Sequence, residues 1–359
     1  MRIAIFHDYL ENIGGGEKLV LETAKNLNAT VITTNVNKDA IKKLNFEKIK
    51  IIDLGKTPKN TFLRHFFISL KFFLSDFSKD FDYYIFSGNR SIFATWRHKP
   101  NLWYCHSPER AAFDLHDFYK SKMSFFKKIF FAFYSFSFKI SFFSLALPNI
   151  QKIITNSKNT SKRIKKYLGK NSQIIYPPIN TAFYKNKKSR GYWLSVNRLY
   201  PSKRIGLQLD AFKLIPNKKL FIIGGYVEVD DGGVHKQELL SIKPDNVSFL
   251  GTISEKELQK LYSECEGFIA TASDEDFGMT VVEAMASGKA VVCVDEGGFR
   301  ETVIDNKTGF LVNADPLSLA NAVRKTSENN NSFKDACLKN AKKFDSKIYF
   351  EKIREVIFT

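Results

Sequence analysis

Two acidic residues and a glycine turn lie close together in the segment 273–288. Glu275 precedes the turn Phe277-Gly278-Met279, and Glu283 follows it. We predict that a helix begins at Thr280, so that the first backbone amides of the helix point towards an anionic or polar ligand. Two carboxylates on either side of one turn can accept hydrogen bonds from both ends of a polyhydroxylated ligand.

Glu283 also has a purely structural interpretation. The pair Thr280 and Glu283 matches a capping box, in which the glutamate only completes the N-terminus of a helix. Both interpretations of Glu283 are compatible with the sequence. Glu275 has no such capping role in the sequence, and it follows a predicted strand at 267–271. Strand ends of open α/β sheets are where ligands bind, so Glu275 is the stronger candidate.

Two further segments have residue types that can contact a diphosphate. Gly14, Gly15 and Gly16 lead into an amphipathic helix, where their amides can approach an anion, although a plain flexible turn fits equally well. Arg198 and Lys203 follow another predicted strand and can clamp phosphate oxygens. A solvated basic loop is the alternative for these two cations.

The elements that must position these residues form two similar halves. A chain of 359 residues is too long for one ordinary core, so we expect two domains. Short β-rich runs alternate with helical patterns, which predicts parallel sheets covered by helices. We predict strands at 2–7, 29–34, 49–53, 83–86, 102–105, 152–156 and 173–176, and then at 192–197, 220–224, 247–250, 267–271, 290–294 and 309–312.

A segment rich in proline and then in polar residues separates the two halves, beginning at Tyr176-Pro177-Pro178. We therefore predict an N-terminal domain at 1–178, a linker at 179–190, a second domain at 191–344 and a final helical segment at 345–359. Each domain is expected to be a doubly wound, Rossmann-like unit.

Positive charge and phenylalanine are concentrated in the first half. The formal net charge is +18, and residues 1–180 have 29 Lys and Arg against 13 Asp and Glu, together with 22 of the 34 Phe. Because the charge coincides with Phe-rich helices and no nucleic-acid-binding motif occurs, we expect no nucleic-acid partner. The glycine pattern is not G-x-G-x-x-G, which argues against a nicotinamide-dependent oxidoreductase.

The Phe-rich segment 125–143 allows three interpretations. Residues 129–147 approach the length of a membrane span. As a core helix, the segment would bury one stripe, namely Phe126, Phe130, Phe133 and Ile140. The remaining aromatics and lysines favour an interfacial helix on anionic lipid. The segment 62–77 can reinforce it through one apolar face, namely Phe62, Phe66, Leu70, Phe73 and Phe77. We expect an anionic membrane surface as a partner.

The cysteines and the N-terminus indicate a reducing compartment. Cys105, Cys265, Cys293 and Cys337 show no metal-binding spacing and are expected to be buried thiols. The N-terminal residues predict a strand rather than a signal peptide. A cytoplasmic protein follows from these two observations.

Three of these segments together resemble a known family. Gly14-Gly15-Gly16-Glu17, Asn197-Arg198-Leu199 with Lys203, and Glu275-x7-Glu283 are similar to the donor-site elements of retaining glycosyltransferases of the GT-B class, family 4. The similarity covers nearly the whole chain. The segment 103–114 further resembles the CHTP-x-R-x-x-WD segment of O-antigen-type mannosyltransferases, with Ser107 and Phe113 in place of threonine and tryptophan.

The resemblance implies an α/β fold of the GT-B type, with two Rossmann-like domains facing across a cleft and a C-terminal helix that returns to the first domain. It implies transfer of a sugar with retention and without a metal. The leading donor is GDP-mannose, and a UDP-sugar donor or a non-transferase GT-B enzyme, such as a phosphorylase or epimerase, is the alternative. The acceptor is expected to be a lipid-linked or polysaccharide glycan, and the protein to be peripheral on the cytoplasmic face of the membrane.

The resemblance also implies a role for each matched residue. Glu275 and the amides of Phe277, Gly278 and Met279 would hold the donor sugar, and Glu283 the ribose. Arg198, Lys203 and the amides of Gly15 and Gly16 would contact the diphosphate, and Thr252 and Ile253 would line the base. His106 would lie near the transferred sugar as a catalytic residue together with Glu275.

Overall fold

The computed structural model describes residues 1–11, 14–121, 123–225 and 232–358. The chain divides into two units by its internal contacts. The first unit holds Met1–Ile175 and the C-terminal residues from Lys352 on, and the second holds Tyr176–Glu351.

The first unit is built on a seven-stranded parallel sheet in the order β3-β2-β1-β4-β5-β6-β7. Its central strands are continuous buried runs, as expected of strands covered on both faces. All seven predicted strands are confirmed. They are β1 (Ile3–His7), β2 (Thr30–Thr33), β3 (Ile51–Asp53), β4 (Tyr83–Ser87), β5 (Asn101–Cys105), β6 (Lys152–Thr155) and β7 (Gln173–Ile174).

Helices cover both faces of this sheet. They are α1 (Gly15–Leu27), α2 (Lys38–Lys43), α3 (Thr61–Leu74), α4 (His116–Ser121), α5 (Phe125–Ser141) and α6 (Lys158–Leu168). The strand order steps one way from β1 to β3 and the other way from β4 to β7, so right-handed crossovers put α1 and α2 on one face and α3, α5 and α6 on the other. The second group shares one core, to which Phe72, Phe138 and Ile164 each contribute from a different helix.

The structure reverses the predicted orientation of α5. The stripe that a core helix would bury is the exposed one. The exposed fractions of its side chains are 75% for Phe126, 69% for Phe130, 70% for Phe133 and 52% for Ile140. The residues that pack on the sheet are instead Phe131, Ser135 and Phe138. The helix is apolar around most of its circumference, so helical periodicity alone could not indicate the buried side. By length and composition only, the helical stretch Phe125–Asn149 is long and apolar enough to cross a membrane.

The apolar face predicted for α3 is also displaced. Of its five predicted members, Phe66 and Leu70 are exposed, whereas Phe62, Phe73 and Phe77 are half-buried. The exposed stripe consists of Leu63, Phe66, Phe67, Leu70 and Leu74. Ile68 and Phe72 on the opposite side are buried against the sheet.

The second unit is built on a six-stranded parallel sheet in the order β10-β9-β8-β11-β12-β13. The six strands predicted for this half are confirmed as β8 (Tyr192–Val196), β9 (Lys219–Ile223), β10 (Val247–Gly251), β11 (Gly267–Ala270), β12 (Val291–Val294) and β13 (Gly309–Val312). The helices are α7 (Ile205–Lys213), α8 (Gly232–Ser241), α9 (Glu255–Glu264), α10 (Met279–Ala286), α11 (Phe299–Thr302), α12 (Pro316–Glu328) and α13 (Lys334–Ala341).

The segment 179–190 packs within the second unit. Ile179 pairs with Asp345, and the ring of the buried Tyr184 meets that of Tyr262 at 5.7 Å. The chain ends in α14 (Ser346–Phe358). The last part of α14 belongs to the first unit, where Arg354 donates to Asn26 Oδ1 at 2.8 Å and Lys152 Nζ donates to the carbonyl oxygen of Val356 at 2.9 Å.

Candidate active site

The candidate residues of the second unit lie on loops at the carboxyl edge of its sheet. Parallel strands end at the same edge, so the loops after β8, β11 and β12 meet there. Gly224, just after β9, closes this arrangement from the other side. Its φ is +150°, and a Cβ at this position would lie 1.6 Å from the carbonyl oxygen of Asn197, so only glycine fits.

Lys203 and Glu275 form an ion pair at this edge. Lys203 Nζ lies 2.6 Å from Glu275 Oε2, and the two side chains are 25 and 19% exposed. Thr271 Oγ1 donates to the carbonyl oxygen of Lys203 at 2.9 Å, which fixes the lysine's backbone against the loop after β11. The sequence indicated these two charges separately, and the structure brings them together. One cation and one hydrogen-bond acceptor are therefore within reach of a single ligand.

The loop that holds Glu275 is packed closely against the loop after β12. Gly298 N donates to the carbonyl oxygen of Glu275 at 2.7 Å. A Cβ on Gly297 would lie 2.5 Å from the same oxygen, and one on Gly298 would lie 2.6 Å from Phe277 Cα. The two glycines allow this backbone approach, and the approach fixes the position of Glu275.

The glycine turn leads directly into α10. The helix begins at Met279, one residue earlier than the predicted Thr280, and Gly278 precedes it with φ +92°. The ring of Phe277 is buried, with centroids 5.4 Å from Tyr176 and 5.3 Å from Phe344, so only its backbone can face a ligand. The first amides of α10 lack intrahelical acceptors by helix geometry, which makes this end suited to an anion or a hydroxyl.

Arg204 is a residue of this site that the sequence did not single out. Its guanidinium makes two hydrogen bonds to Glu296, at 3.0 and 2.8 Å, and a third to the carbonyl oxygen of Thr271 at 2.8 Å. Glu296 also accepts from the amide of Asp274 at 3.2 Å. Arg204 therefore ties three loops together. The sequence did contain a signal for its partner Glu296. This glutamate and two glycines follow β12 much as Glu275 and Gly278 follow β11.

Glu283 is oriented by a buried tyrosine. Tyr262 Oη donates to Glu283 Oε2 at 2.8 Å. Burial, and then the negative charge of Glu283, raises the pKa of Tyr262 well above its ordinary value, so the tyrosine stays a neutral donor. No side chain caps α10 at Gly278, and the capping interpretation of Glu283 is therefore wrong. The hydrogen bond from Tyr262 on α9 replaces the local contact that a capping box would have made.

The other predicted contacts of this unit lie around the same edge. Arg198 is exposed on the loop after β8. Thr252 is exposed, and Ile253 is half-buried against the core. A Cβ on Gly225 would lie 2.9 Å from Thr252 Oγ1, so the turn after β10 adjoins the loop after β9. The continuation of that loop, residues 226–231, lies outside the described residues.

In the first unit, the structure brings the glycine segment next to His106. Gly15 and Gly16 are the first two residues of α1, and Glu17 accepts from the amide of Gly14 at 2.8 Å, so Glu17 caps its own helix. A Cβ on Gly16 would lie 3.9 Å from His106 Cε1. The segment's first residues, 12 and 13, lie outside the described part of the chain.

His106 is held by its neighbours at the carboxyl ends of β4 and β6. Its Nε2 lies 2.8 Å from the hydroxyl of Ser87, and its carbonyl oxygen accepts from Asn156 at 2.8 Å. Asp8, which follows β1, accepts from the amides of residues 89–91 at 2.7–3.0 Å and fixes the loop after β4. The sequence did not single out Ser87 or Asp8, although polar residues at strand ends are the relevant signal.

The segment 103–114 is held by contacts within itself and with α6. Arg110 Nε donates to Asp114 at 2.9 Å, and Arg163 on α6 donates to Ser107 at 2.8 Å. This segment therefore anchors the loop after β5 that begins with His106.

No metal centre is found among the described residues, which contain no cluster of three or more His, Cys, Asp or Glu able to hold an ion. All four cysteines are buried and free. Burial raises the pKa of the thiols of Cys265 and Cys337 to about 12, which leaves them protonated and unreactive.

Comparison with solved structures identifies the fold. HepE of Anabaena, solved in complex with UDP and glucose, superimposes with a TM-score of 0.78 at 19% identity over 99% of each chain. Sucrose-phosphate synthase from Thermosynechococcus elongatus gives 0.77 at 17% identity over 99% of this chain and 98% of that one. The two parallel α/β units thus form a GT-B fold, and the predicted fold class is confirmed.

Sequence comparison finds similarity to glycosyltransferases. Residues 178–344 match the model of glycosyl transferases group 1. The α-1,3/1,6-mannosyltransferase ALG2 of Dictyostelium discoideum is 28% identical over 90% of this chain and 89% of its own length. The O-antigen chain mannosyltransferase RfbU of Salmonella typhimurium is 26% identical over 82% of this chain and 80% of its own length. Residues 178–344 are therefore similar to the group 1 glycosyl transferases, and the protein is a glycosyltransferase, as predicted.

Proposed function

We propose that this glycosyltransferase transfers mannose from GDP-mannose to a hydroxyl of a glycan acceptor, with retention at the sugar. The observation that carries the proposal is the Lys203–Glu275 pair beside the N-terminus of α10. It combines a cation for a phosphate with an acceptor for sugar hydroxyls. Two relatives that match most of the chain are mannosyltransferases by name, which supports mannose as the sugar.

The second unit supplies most of the donor contacts in this proposal. Glu275 and the amides at the start of α10 hold the sugar hydroxyls, Glu283 accepts from the ribose, and Thr252 and Ile253 line the base. Arg198 and Lys203 stabilise the diphosphate as it departs, which is the main demand of glycosyl transfer. Preorganised donors of this kind are each worth on the order of 100-fold in rate. Two cations in this role make a divalent ion unnecessary.

We assign to the first unit the residues around the start of α1. The amides of Gly15 and Gly16 suit the distal phosphate because they lie at a helix N-terminus. His106, held by Ser87, contacts the transferred sugar and the incoming hydroxyl. No Asp or Glu stands out as a nucleophile, so we propose same-face attack with the leaving phosphate as the base.

A panel of nucleotide sugars tests the donor. A ligand at 100 times its dissociation constant stabilises the folded state by about 2.7 kcal/mol, so the true donor should raise the melting temperature clearly. We expect GDP-mannose to do so and UDP-glucose not to. The opposite result would favour the second candidate, a UDP-sugar transferase, for which the UDP-bound HepE structure is the supporting observation. Donor cleavage that needs phosphate rather than a glycan acceptor would favour a phosphorylase.

We further propose that the protein docks on the cytoplasmic face of a membrane and that its acceptor is lipid-linked. The exposed apolar stripes of α3 and α5 support this, since soluble proteins rarely expose patches of this kind without a partner. The two helices are neighbours, because Phe62 and Tyr134 meet at 5.1 Å and His65 Nδ1 lies 2.7 Å from Tyr134 Oη. Their outer faces therefore present aromatic rings side by side, as interfacial helices do.

Single phenylalanine substitutions test the docking surface. Phe130→Ser should weaken vesicle binding by about 10- to 150-fold, since burial of one Phe side chain contributes about 1.5–3 kcal/mol. Phe183→Ser, at an exposed phenylalanine of the second unit, is the matched control and should bind as the wild type does. Equal binding by Phe130→Ser and the wild type in a flotation assay would refute docking through α5.

A further inference from the structure

The chain has a long segment without acidic residues that contains a basic helix. Between Asp117 and Asp210 there is no Asp or Glu. Within this segment α6 buries Thr160, Ile164 and Leu168, whereas Lys162, Lys165 and Lys166 are exposed on its other side. Lys170, just beyond the helix, is exposed as well. We call these four lysines the α6 basic face.

The cations of helix α3 in the same layer are already engaged inside the unit. Arg64 pairs with Glu11 and stacks 4.7 Å above the ring of Tyr9. Lys71 donates to the carbonyl oxygen of Leu54. Because these internal contacts hold both cations, the exposed stripe of α3 is apolar.

The α6 basic face lies in the same layer as the exposed aromatic stripes. Helices α3, α5 and α6 share one core on one face of the sheet, so their outer sides all point away from that face. Phe113 lies between the helical turn after α5 and α6, with its ring 6.3 Å from Phe143 and 5.6 Å from Tyr167. Lys139 of α5 lies over the ring of Phe113, and Lys166 of α6 lies over that of Tyr167. The basic face therefore flanks the aromatic stripe of α5.

We infer that the α6 basic face binds the headgroups of anionic phospholipids, next to the apolar insertion of α3 and α5. The inference rests on the proposed membrane docking and assigns its electrostatic part to one helix. Lysines suit this partner because each is a compact charge on a flexible stem that can follow mobile headgroups. A layer that is apolar on one side and basic on the other matches an anionic bilayer, in which acyl chains lie beneath charged headgroups.

Neutralising the four lysines tests the assignment. In K162Q/K165Q/K166Q/K170Q, affinity for vesicles of phosphatidylcholine with phosphatidylglycerol should fall on the order of 100-fold or more, since each lysine near such a surface contributes about fivefold. Binding to pure phosphatidylcholine should not change. The matched control is K38Q/K42Q/K43Q/K48Q, which removes four exposed lysines in and after α2, on the other face of the sheet. It should bind anionic vesicles as the wild type does.

Three results would overturn the inference. The first is wild-type affinity of the α6 variant for anionic vesicles, and the second is an equal loss in the α2 control, which would mean that only net charge matters. The third is a variant that keeps vesicle binding but loses binding to duplex DNA, which would make a nucleic acid the partner. If Phe130→Ser loses vesicle binding and the α6 variant does not, the proposed docking stands and this inference fails. Circular dichroism and the melting temperature of both variants check that they fold.

Discussion

Replacing Glu275 by glutamine should separate binding of the nucleotide from transfer of the sugar. The substitution keeps the size of the side chain and removes the charge that pairs with Lys203 at 2.6 Å. We expect transfer to fall on the order of 100-fold, because a preorganised contact to the reacting sugar is lost. Affinity for GDP alone should stay the same or rise, because Lys203 is released towards the diphosphate.

The size of the rise in affinity follows from the exposure of the ion pair. Its two side chains are about a quarter and a fifth exposed, so solvent screens the pair only in part. Exposed pairs contribute about 0–1 kcal/mol, and we take about 1 kcal/mol for this partly buried one. Relief from that pairing would strengthen GDP binding by up to about fivefold.

Calorimetric titration with GDP and initial transfer rates on the same preparations measure the two effects. Lys203→Gln is the reciprocal variant and should weaken GDP binding together with transfer. Glu328→Gln, at an exposed glutamate on the last turn of α12, is the matched control and should change neither. A tenfold loss of GDP affinity in Glu275→Gln, or undiminished transfer, would show that Glu275 does not act on the sugar.

Three other expectations follow from the same structure. Tyr262→Phe should lower both the melting temperature and GDP affinity by removing the hydrogen bond that orients Glu283, at a cost of about 1.5–3 kcal/mol; unchanged GDP affinity would separate Glu283 from the nucleotide. Activity should survive EDTA, because Arg198 and Lys203 replace a divalent ion, and loss that magnesium or manganese restores would contradict this role. Burial, and then Arg90 and Arg64, lowers the pKa of His65 well below its ordinary value, so the unfolded chain takes up the proton first and stability should fall as the pH drops below about 6.5. Denaturant unfolding measured from pH 7.5 to 5 should show that the free energy of unfolding falls less in His65→Gln than in the wild type. The difference should be up to about 1.4 kcal/mol per pH unit, and an identical fall in both proteins would exclude His65 as the cause.

The strands and their order along the chain could be predicted from the sequence alone. A strand such as β12 (Val291–Val294) is a short, continuous apolar run bounded by turn residues, and a buried parallel strand needs little else. The glycine turn at Gly278 and the acid before it were also recognisable, because special backbone conformations restrict residue type locally. These are properties of single segments, and they are visible wherever the segment ends up in the fold.

The orientation of α5 needed the tertiary structure. A helix with aromatic residues on most sides offers several stripes of similar apolarity, and periodicity alone does not choose between Phe130 and Phe131. The choice depends on what the sheet presents beneath the helix. The local match of Glu283 to a capping box misled for a related reason, since its actual partner, Tyr262, lies on another helix.

The pairings within the candidate site were likewise decided by the fold. Lys203 and Glu275 are separated by 72 residues, and Arg204 and Glu296 by 92. They meet because β8, β11 and β12 are neighbours in the sheet, which brings the loops after these strands to one edge. The sequence determines which residues follow each strand. Which of those residues meet depends on strand order, and strand order is set by the packing of the whole unit rather than by any one segment.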